Sequence, residues 1–207
     1  MKTVTDVTEL RQLLGKPHPF TKQKIFDHLD DLSQEFIGNA PLLFLATTDA
    51  NGRPTVSPKG DAAGFVQVQD ANSLLIPERP GNKLMMGFEN ILNNGQIGLI
   101  FVQPGVEETL RVNGKAELVV DEAMQQRFAA NGRPALLLIK VTVEQVFFHC
   151  AKAFKRSHAW QPDSWQAGTK VSFGAQMSKQ KLGTGLAAKA AQKIIDREVE
   201  KDYRDNL

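Results

Sequence analysis

Between Pro41 and His149 the sequence alternates between short apolar segments and turn residues, which is typical of a mainly β domain with hairpin connections. The run 41–48 is continuously apolar, and the Asp49-Ala-Asn-Gly52 segment after it contains the Asn-Gly pair of a tight hairpin. Because most connections have this character, we expect a mainly antiparallel sheet. Several strands are apolar on both faces, which favours a closed barrel over an open sheet. The predicted strands are 41–48, 53–57, 63–69, 74–77, 96–102, 108–120 and 135–149.

A helix interrupts the predicted strands, and its start forms a candidate anion site. Residues 83–92 have apolar side chains at helical spacing, Asn82 before them is a suitable N-cap, and Gly95 can end the helix. A helix N-terminus has free N–H groups and about half a positive charge, and Arg79 and Lys83 flank this one. These features favour a phosphate monoester as the ligand. Both cations can equally be solvated residues of an ordinary loop, and the residues alone leave that alternative open.

Helical patterns flank the barrel segment on both sides. One helix is expected between Asp6 and Gly15, and a second runs from Thr21 to Gly38 with a single apolar face. A mainly polar helix is predicted over 185–203. We therefore expect a single domain built of three segments. These are N-terminal helices at 1–40, a barrel at 41–150, and a loop with a C-terminal helix, packed on the barrel or on a partner subunit, at 151–207.

Three local features of the later chain complete the expected element order. The Asn113-Gly114 pair interrupts the strand 108–120 and predicts a bulge or bend. Asp121 starts a short predicted helix. Residues 161–174 contain scattered Pro and Gly and are expected to form a loop.

Composition indicates a soluble globular protein and excludes several functions. The net charge is +2, and the positive excess lies in residues 150–207, where the cations are not interleaved with aromatic residues as in nucleic-acid binding proteins. No apolar run reaches the ~20 residues of a membrane helix. The histidines are scattered without metal-ligand spacing, so we expect no metal site. The only cysteine, Cys150, ends a strand expected to be buried; it is expected to be inert and fits a cytoplasmic protein.

Six motifs occur in a fixed order along the barrel segment. Two of them are long: Val56-Ser-Pro-Lys-Gly-Asp61 and Leu75-Ile-Pro-Glu-Arg-Pro-Gly-Asn-Lys83. In order and spacing the six together resemble the pyridoxamine 5′-phosphate oxidase-like family of FMN-binding split barrels, over residues 41 to about 160. The resemblance is nearest to a bacterial subgroup with the same Arg-Pro-Gly-Asn loop. The six motifs span 44–54, 56–61, 75–83, 90–94, 98–101 and 108–116.

This resemblance implies a homodimer that binds one FMN in each of two clefts between the subunits. It assigns Lys83 to the FMN phosphate, with Arg79 supplying the charge that Asn82 lacks. Lys59 would lie near the N1–C2 edge of the flavin ring, where a positive charge favours the reduced state. The implied cofactor-binding residues are Ser57, Pro58, Lys59, Gly60, Ile76, Pro77, Arg79, Asn82, Lys83, Thr109 and Arg111. Candidate contacts from the partner subunit are Lys155, Arg156 and Trp160.

Two departures from the family pattern bear on the reaction. The oxidase proper has an Arg-x-His substrate motif near its C-terminus, which is missing here, and Thr55 stands where the oxidase has an arginine. The resemblance therefore implies an FMN-dependent oxidoreductase for another small organic substrate, with NAD(P)H as a candidate electron donor. Two alternatives remain: a flavin or haem carrier without turnover, and a deazaflavin-dependent reductase. No catalytic residue is named, because the flavin itself carries the hydride.

Overall fold

The computed structural model describes residues 1–206 and has a seven-stranded sheet in which every pair of neighbouring strands is antiparallel. The strands are β1 (Leu42–Thr48), β2 (Pro54–Gly60), β3 (Gln67–Asp70), β4 (Ser73–Pro77), β5 (Gln96–Val102), β6 (Thr109–Val119) and β7 (Leu138–His149). Their order across the sheet is β2-β1-β5-β6-β7-β4-β3. The expected mainly antiparallel architecture is confirmed.

Eight α-helices flank this sheet within the described residues, and a short 3₁₀ turn at Pro162–Ser164 follows the sixth. The helix α4 lies between β4 and β5, as the sequence predicts. The helices are α1 (Val7–Leu14), α2 (Phe20–Gln23), α3 (Asp31–Asn39), α4 (Met86–Asn94), α5 (Glu122–Arg127), α6 (Lys152–Ser157), α7 (Phe173–Leu182) and α8 (Leu186–Asn206). No described helix is long and apolar enough to cross a membrane.

The sheet encloses a main hydrophobic core, has a second, smaller apolar cluster on the other face around Leu75 and Leu138, and remains split along a seam. Inward-facing residues of β1, β5 and β6, such as Leu43, Phe101 and Leu110, are fully buried in the main core. The outermost strands β2 and β3 share no ladder in the described chain. Instead, the ends of β2 and β4 are joined by side-chain ion pairs. The protein is thus a split β-barrel with flanking helices.

Strand β1 differs from its predicted burial. Its continuous apolar run predicts burial on both faces, but the strand alternates, with Leu43 and Leu45 in the core. Phe44 on the opposite face is 39% exposed, and Val56 on the neighbouring strand is 62% exposed. Within a single chain, the predicted burial of both faces of β1 is therefore wrong, because no described element covers the outer face of β1 and β2. An apolar, uncovered sheet face of this kind is typical of an interaction surface.

The second predicted N-terminal helix is also wrong, because tertiary contacts divide it. Phe26 forms a backbone bridge with Val146 of β7, and the N–H of Leu29 donates to the carbonyl of Ala71 at 2.7 Å. The helix therefore restarts at α3, where the Asp30 carboxylate accepts a hydrogen bond from the N–H of Ser33 at 2.9 Å. Of the periodic apolar residues in this segment, Leu29 in the linker and Phe36 in α3 are buried, whereas Ile25 and Leu32 are exposed.

The C-terminal region contains a helix that the sequence did not predict. Helix α7 starts at the end of the predicted loop 161–174, continues through residues for which no element was predicted, and packs against α8 as a helical hairpin. Asp196 of α8 accepts hydrogen bonds from the Ser172 hydroxyl at 2.7 Å and from the Gly174 N–H at 2.9 Å, and these bonds lower the pKa of its carboxyl. A Cβ on Gly174 would lie 2.3 Å from the carbonyl oxygen of Gln192, so glycine permits the close packing of the two helices. Cys150, expected to be buried, is exposed.

Candidate functional site

Two ion pairs at the barrel seam involve Lys59 and Arg79, which the family resemblance assigns to the cofactor. Lys59 of β2 pairs with Glu78 directly after β4, and the two side chains are 18% and 14% exposed. Arg79 pairs through Nε with Asp61 at 2.8 Å and donates through Nη1 to the carbonyl of Phe128 at 2.7 Å. Both cations therefore have partners within the chain. Their roles in cofactor binding stay predictions, and each would need its carboxylate partner to move or to be shared.

The loop before α4 differs from the predicted helix start. Asn82 does not cap the helix; its Oδ1 accepts from the N–H of Leu84 at 3.0 Å and so closes a local turn. Lys83 and Met85 have φ angles of 60° and 55°, in the left-handed region that a helix cannot continue through. Helix α4 therefore begins at Met86, three residues later than predicted. Gly95 ends it with φ 68°, as predicted.

This loop and the first turn of α4 have features of an anion site. Lys83 is exposed and has no hydrogen bond or ion pair with any residue of 1–206. No side chain caps the N-terminus of α4, so its first N–H groups are available. Leu84, Met85 and Met86 beside them are half or more exposed. A strained left-handed backbone, a free cation and exposed apolar side chains are combined here, and such strain is concentrated at binding sites.

The predicted residues of β2 do not all lie on one face. Ser57 and Lys59 alternate with Pro58 and Gly60, so only the first pair faces the side of the sheet on which α4 packs. The Lys59 ammonium lies 5.1 Å from the ring centre of Phe88 on α4. The side chains of Ser57 and Lys59 therefore face α4, whereas Pro58 and Gly60 lie on the opposite, outer face of the sheet.

A polar cluster that the sequence did not indicate anchors α4 to the same strands. The hydroxyls of Thr47 and Thr55 are 2.8 Å apart, and the amide nitrogen of Asn90 donates to that of Thr47 at 2.9 Å. Thr55 is the position where the oxidase proper has an arginine, and here it belongs to this structural network. Apolar periodicity gave no signal for this cluster, because Asn90 lies on the side of the predicted helix away from Leu84, Phe88 and Leu92.

Ile76 and Pro77 at the end of β4 are buried. The Ile76 side chain is fully enclosed in the core, and both residues pair with β7 at Ile139 and Leu138. Because of this burial, Ile76 could contact a ligand only after a rearrangement or through its backbone.

Thr109 and Arg111 lie on the outer face of β6, opposite His149 and Phe147 of β7 in the ladder. The Arg111 guanidinium carbon is 5.5 Å from the Phe147 ring centre. The structure therefore adds Phe147 and His149 to the surroundings of Arg111. The period-two alternation of 145–149 could have indicated this grouping, although not the cross-strand register.

The three candidate partner-subunit contacts fold back on their own chain. Lys155 pairs with Glu107 at 3.3 Å, and the indole N–H of Trp160 donates to the carbonyl of Val106 at 2.8 Å. Trp160 also stacks on Phe154 with ring centres 5.4 Å apart. Arg156 is exposed, with its Nε bonded only to the carbonyl of Lys152 at 3.2 Å among the residues described. Their contact with a partner subunit stays a prediction.

Replacement of Lys59 by methionine should lower the free energy of unfolding by roughly 1–2 kcal/mol, because it leaves the mostly buried Glu78 carboxylate without its partner. Urea unfolding at neutral pH measures this. The double variant Lys59→Met, Glu78→Leu removes both charges and should recover most of the loss. Wild-type stability of Lys59→Met would show that the ion pair does not hold the seam.

One family model and several solved structures are similar to the chain. The family model described as pyridoxamine 5′-phosphate oxidase matches residues 29–150, more than half of the chain. No curated protein matches the chain. This region also includes every cofactor-binding residue implied by the sequence.

Three solved structures show the range of similar proteins. HupZ of Group A Streptococcus is 24% identical, with 57% of this chain and 92% of that chain covered and a TM-score of 0.47. A candidate pyridoxamine 5′-phosphate oxidase of Lactobacillus delbrueckii is 26% identical, with coverage of 59% and 95% and a TM-score of 0.47. HutZ, the heme storage protein of Vibrio cholerae, is 20% identical, with coverage of 57% and 93% and a TM-score of 0.40.

Proposed function

Because this chain belongs to the pyridoxamine 5′-phosphate oxidase family, we propose that it is an FMN-binding oxidoreductase acting on a small organic substrate. The observation that carries the proposal is the loop before α4. FMN combines a phosphate with a largely apolar three-ring system. This loop combines Lys83, which is unpaired among residues 1–206, and the uncapped start of α4 with the exposed side chains of Leu84 and Met85. The residues present therefore fit the cofactor.

The chain's own residues would bind and orient the cofactor. Lys83 and the first N–H groups of α4 would bind the phosphate through charge-assisted hydrogen bonds. Ser57, on the inward side of β2, offers a hydroxyl as donor or acceptor, and Lys59 offers a positive charge that Glu78 now balances. Bound FMN would supply hydride or electron transfer, so the protein contributes binding, electrostatics and exclusion of water.

A second copy of the chain would complete this cleft in the proposed homodimer. The uncovered face with Phe44 and Val56 would be buried by that copy, which would remove apolar surface from water. Thr109 and Arg111 lie on the continuation of the same outer face across β5 and β6. The proposal therefore assigns the substrate side of the cleft to residues of both copies.

Titration of the purified full-length protein with FMN tests the proposal. We expect quenched flavin fluorescence and micromolar or tighter binding at one FMN per chain, together with a dimer by light scattering. Consumption of NAD(P)H with an added acceptor, above the rate of free FMN, would support an oxidoreductase. Binding without turnover would favour a flavin carrier, and tighter binding of the deazaflavin cofactor or of haem would favour those alternatives. Absence of FMN binding would refute the proposal.

A further inference from the structure

Two cations on the outer face of β6 and β7 gather around one aromatic ring. The Arg111 guanidinium carbon lies 5.5 Å from the ring centre of Phe147, and the Lys24 ammonium lies 5.3 Å from the same ring. Lys24 reaches this position because its ammonium donates to the carbonyl of Phe148 at 2.6 Å. The bridge between Phe26 and Val146 holds the segment that carries Lys24 beside β7. Residues distant in the sequence therefore form one cationic group.

Neither cation has an acidic partner in the described part of the chain. The Arg111 side chain is half-buried, and its guanidinium makes no hydrogen bond or ion pair with residues 1–206. Two acidic residues, Glu107 and Glu108, directly precede β6. Glu107 is already paired with Lys155 at 3.3 Å, and in the described residues Glu108 forms no ion pair with Lys24 or Arg111. A partly buried guanidinium without an anion is energetically costly, because burial removes hydration that nothing in the chain replaces.

His149 adds an unsatisfied polar atom to the same group. It lies on the same face as Phe147, with the two ring centres 5.1 Å apart, and opposite Thr109 in the ladder. Its Nε2 atom is buried and has no hydrogen-bond partner in the described residues. Burial lowers the pKa of His149, and the charges of Arg111 and Lys24 lower it further, which favours the neutral ring. A neutral imidazole with a proton on Nε2 can donate to an acceptor.

We propose that Lys24, Arg111 and His149 form a binding site for the carboxylate or phosphate group of a small organic anion, and that this anion is the substrate. The planar fork of Arg111 matches either group, and Phe147 provides an apolar surface for the organic part. Anion binding at this site does not depend on the proposed function, whereas the role of the anion as substrate rests on the proposed function. The site differs from the role implied by the family resemblance, which gives Arg111 to the cofactor.

Titration of full-length protein containing ¹⁵N-labelled histidine tests the anion site. Sodium benzoate and inorganic phosphate are added separately, and the ring resonances of His149 are assigned with a His149→Gln variant. We expect a saturable shift of the His149 resonances in the millimolar range with at least one probe. Tighter benzoate binding would identify a carboxylate ligand with an apolar body, and tighter phosphate binding would identify a phosphorylated ligand. No saturable shift with either probe would overturn the proposal.

Two variants separate this site from general charge effects. Arg111→Met should weaken anion binding at least about tenfold, because it removes the charge-assisted hydrogen bonds while keeping much of the side-chain volume. Lys115→Met removes an exposed cation from the same strand and should leave the affinity unchanged. Equal losses in the two variants would show that only the overall charge matters and would contradict a built site.

FMN binding by the same variants distinguishes this inference from the proposed function. Arg111→Met should retain the FMN affinity within about twofold while losing anion affinity. Weaker FMN binding with unchanged anion binding in Arg111→Met would overturn the inference and would support a role for Arg111 in binding the cofactor. If the wild-type protein binds no FMN, the proposed function and the substrate role fail, while the shift of His149 still decides anion binding.

Discussion

Replacing Gly114 by alanine should destabilise the protein by about 3 kcal/mol or more, the largest effect expected for a single methyl group here. Gly114 lies at the bulge between β6 and β7, where the pairing register shifts after Asn113. A Cβ at this position would lie 2.0 Å from the carbonyl oxygen of Thr142 and 3.3 Å from the backbone nitrogen of Glu144. Because these neighbours are backbone atoms of β7, the strand itself would have to move.

Thermal or urea unfolding measures the loss, and Gly38→Ala is the matched control. Gly38 lies in α3, and a Cβ there would meet no atom within 4 Å. This control should be neutral or more stable by about 0.5–1 kcal/mol, since alanine is the better helix former. For a chain of this size the Gly114 variant should lose roughly 6–12 °C in Tm. A Gly114→Ala protein as stable as the wild type would show that β6 and β7 are less closely packed than described.

Lys83→Ala should weaken FMN binding by roughly 1.5–3 kcal/mol, or roughly 10- to 150-fold in Kd, if the proposed site is correct. Lys83 is exposed and unpaired in the described chain, so its loss should leave stability almost unchanged. The expected effect is therefore confined to binding, because the variant removes the cation nearest in sequence to the uncapped start of α4. Fluorescence titration with FMN measures it.

A conservative replacement separates charge from geometry at this position. Lys83→Arg retains the positive charge and should keep most of the affinity, whereas Lys181→Ala removes an exposed cation of the C-terminal hairpin and should have no effect. Unchanged FMN affinity in Lys83→Ala would remove Lys83 from the phosphate site. The phosphate would then have to be bound elsewhere, with Arg79 a candidate only if it leaves Asp61.

Much of the strand framework could be predicted because its signals are local. The sequence of residues 49–52 predicted a hairpin turn, and Thr48 and Pro54 pair on either side of that turn in the structure. The Asn113-Gly114 interruption predicted a bulge, which the shifted register confirms. In both cases the backbone preferences of a few neighbouring residues decide the geometry.

The candidate site was less predictable because its geometry depends on backbone strain and on partners distant in sequence. The spacing of apolar residues predicted that α4 begins at residue 83. The helix begins at Met86 instead, because Lys83 and Met85 have left-handed backbone conformations. Arg79 was expected to face an anion, and yet Asp61 holds it. Which carboxylate a surface cation meets cannot be read from periodicity, since folding brings the two segments together.

The sequence by itself determined the antiparallel strand framework, the helix inserted between β4 and β5, and the family motifs, because turn residues and apolar periodicity act over a few neighbouring positions. Tertiary structure alone decided which charges are neutralised. It pairs Lys59 with Glu78 and Arg79 with Asp61 at the seam. It leaves Lys83 unpaired within residues 1–206, and it brings Lys24 close to Arg111 and His149. The reason is physical: the energy of a charge depends on its burial and on the nearest opposite charge, and both arise only when distant strands meet.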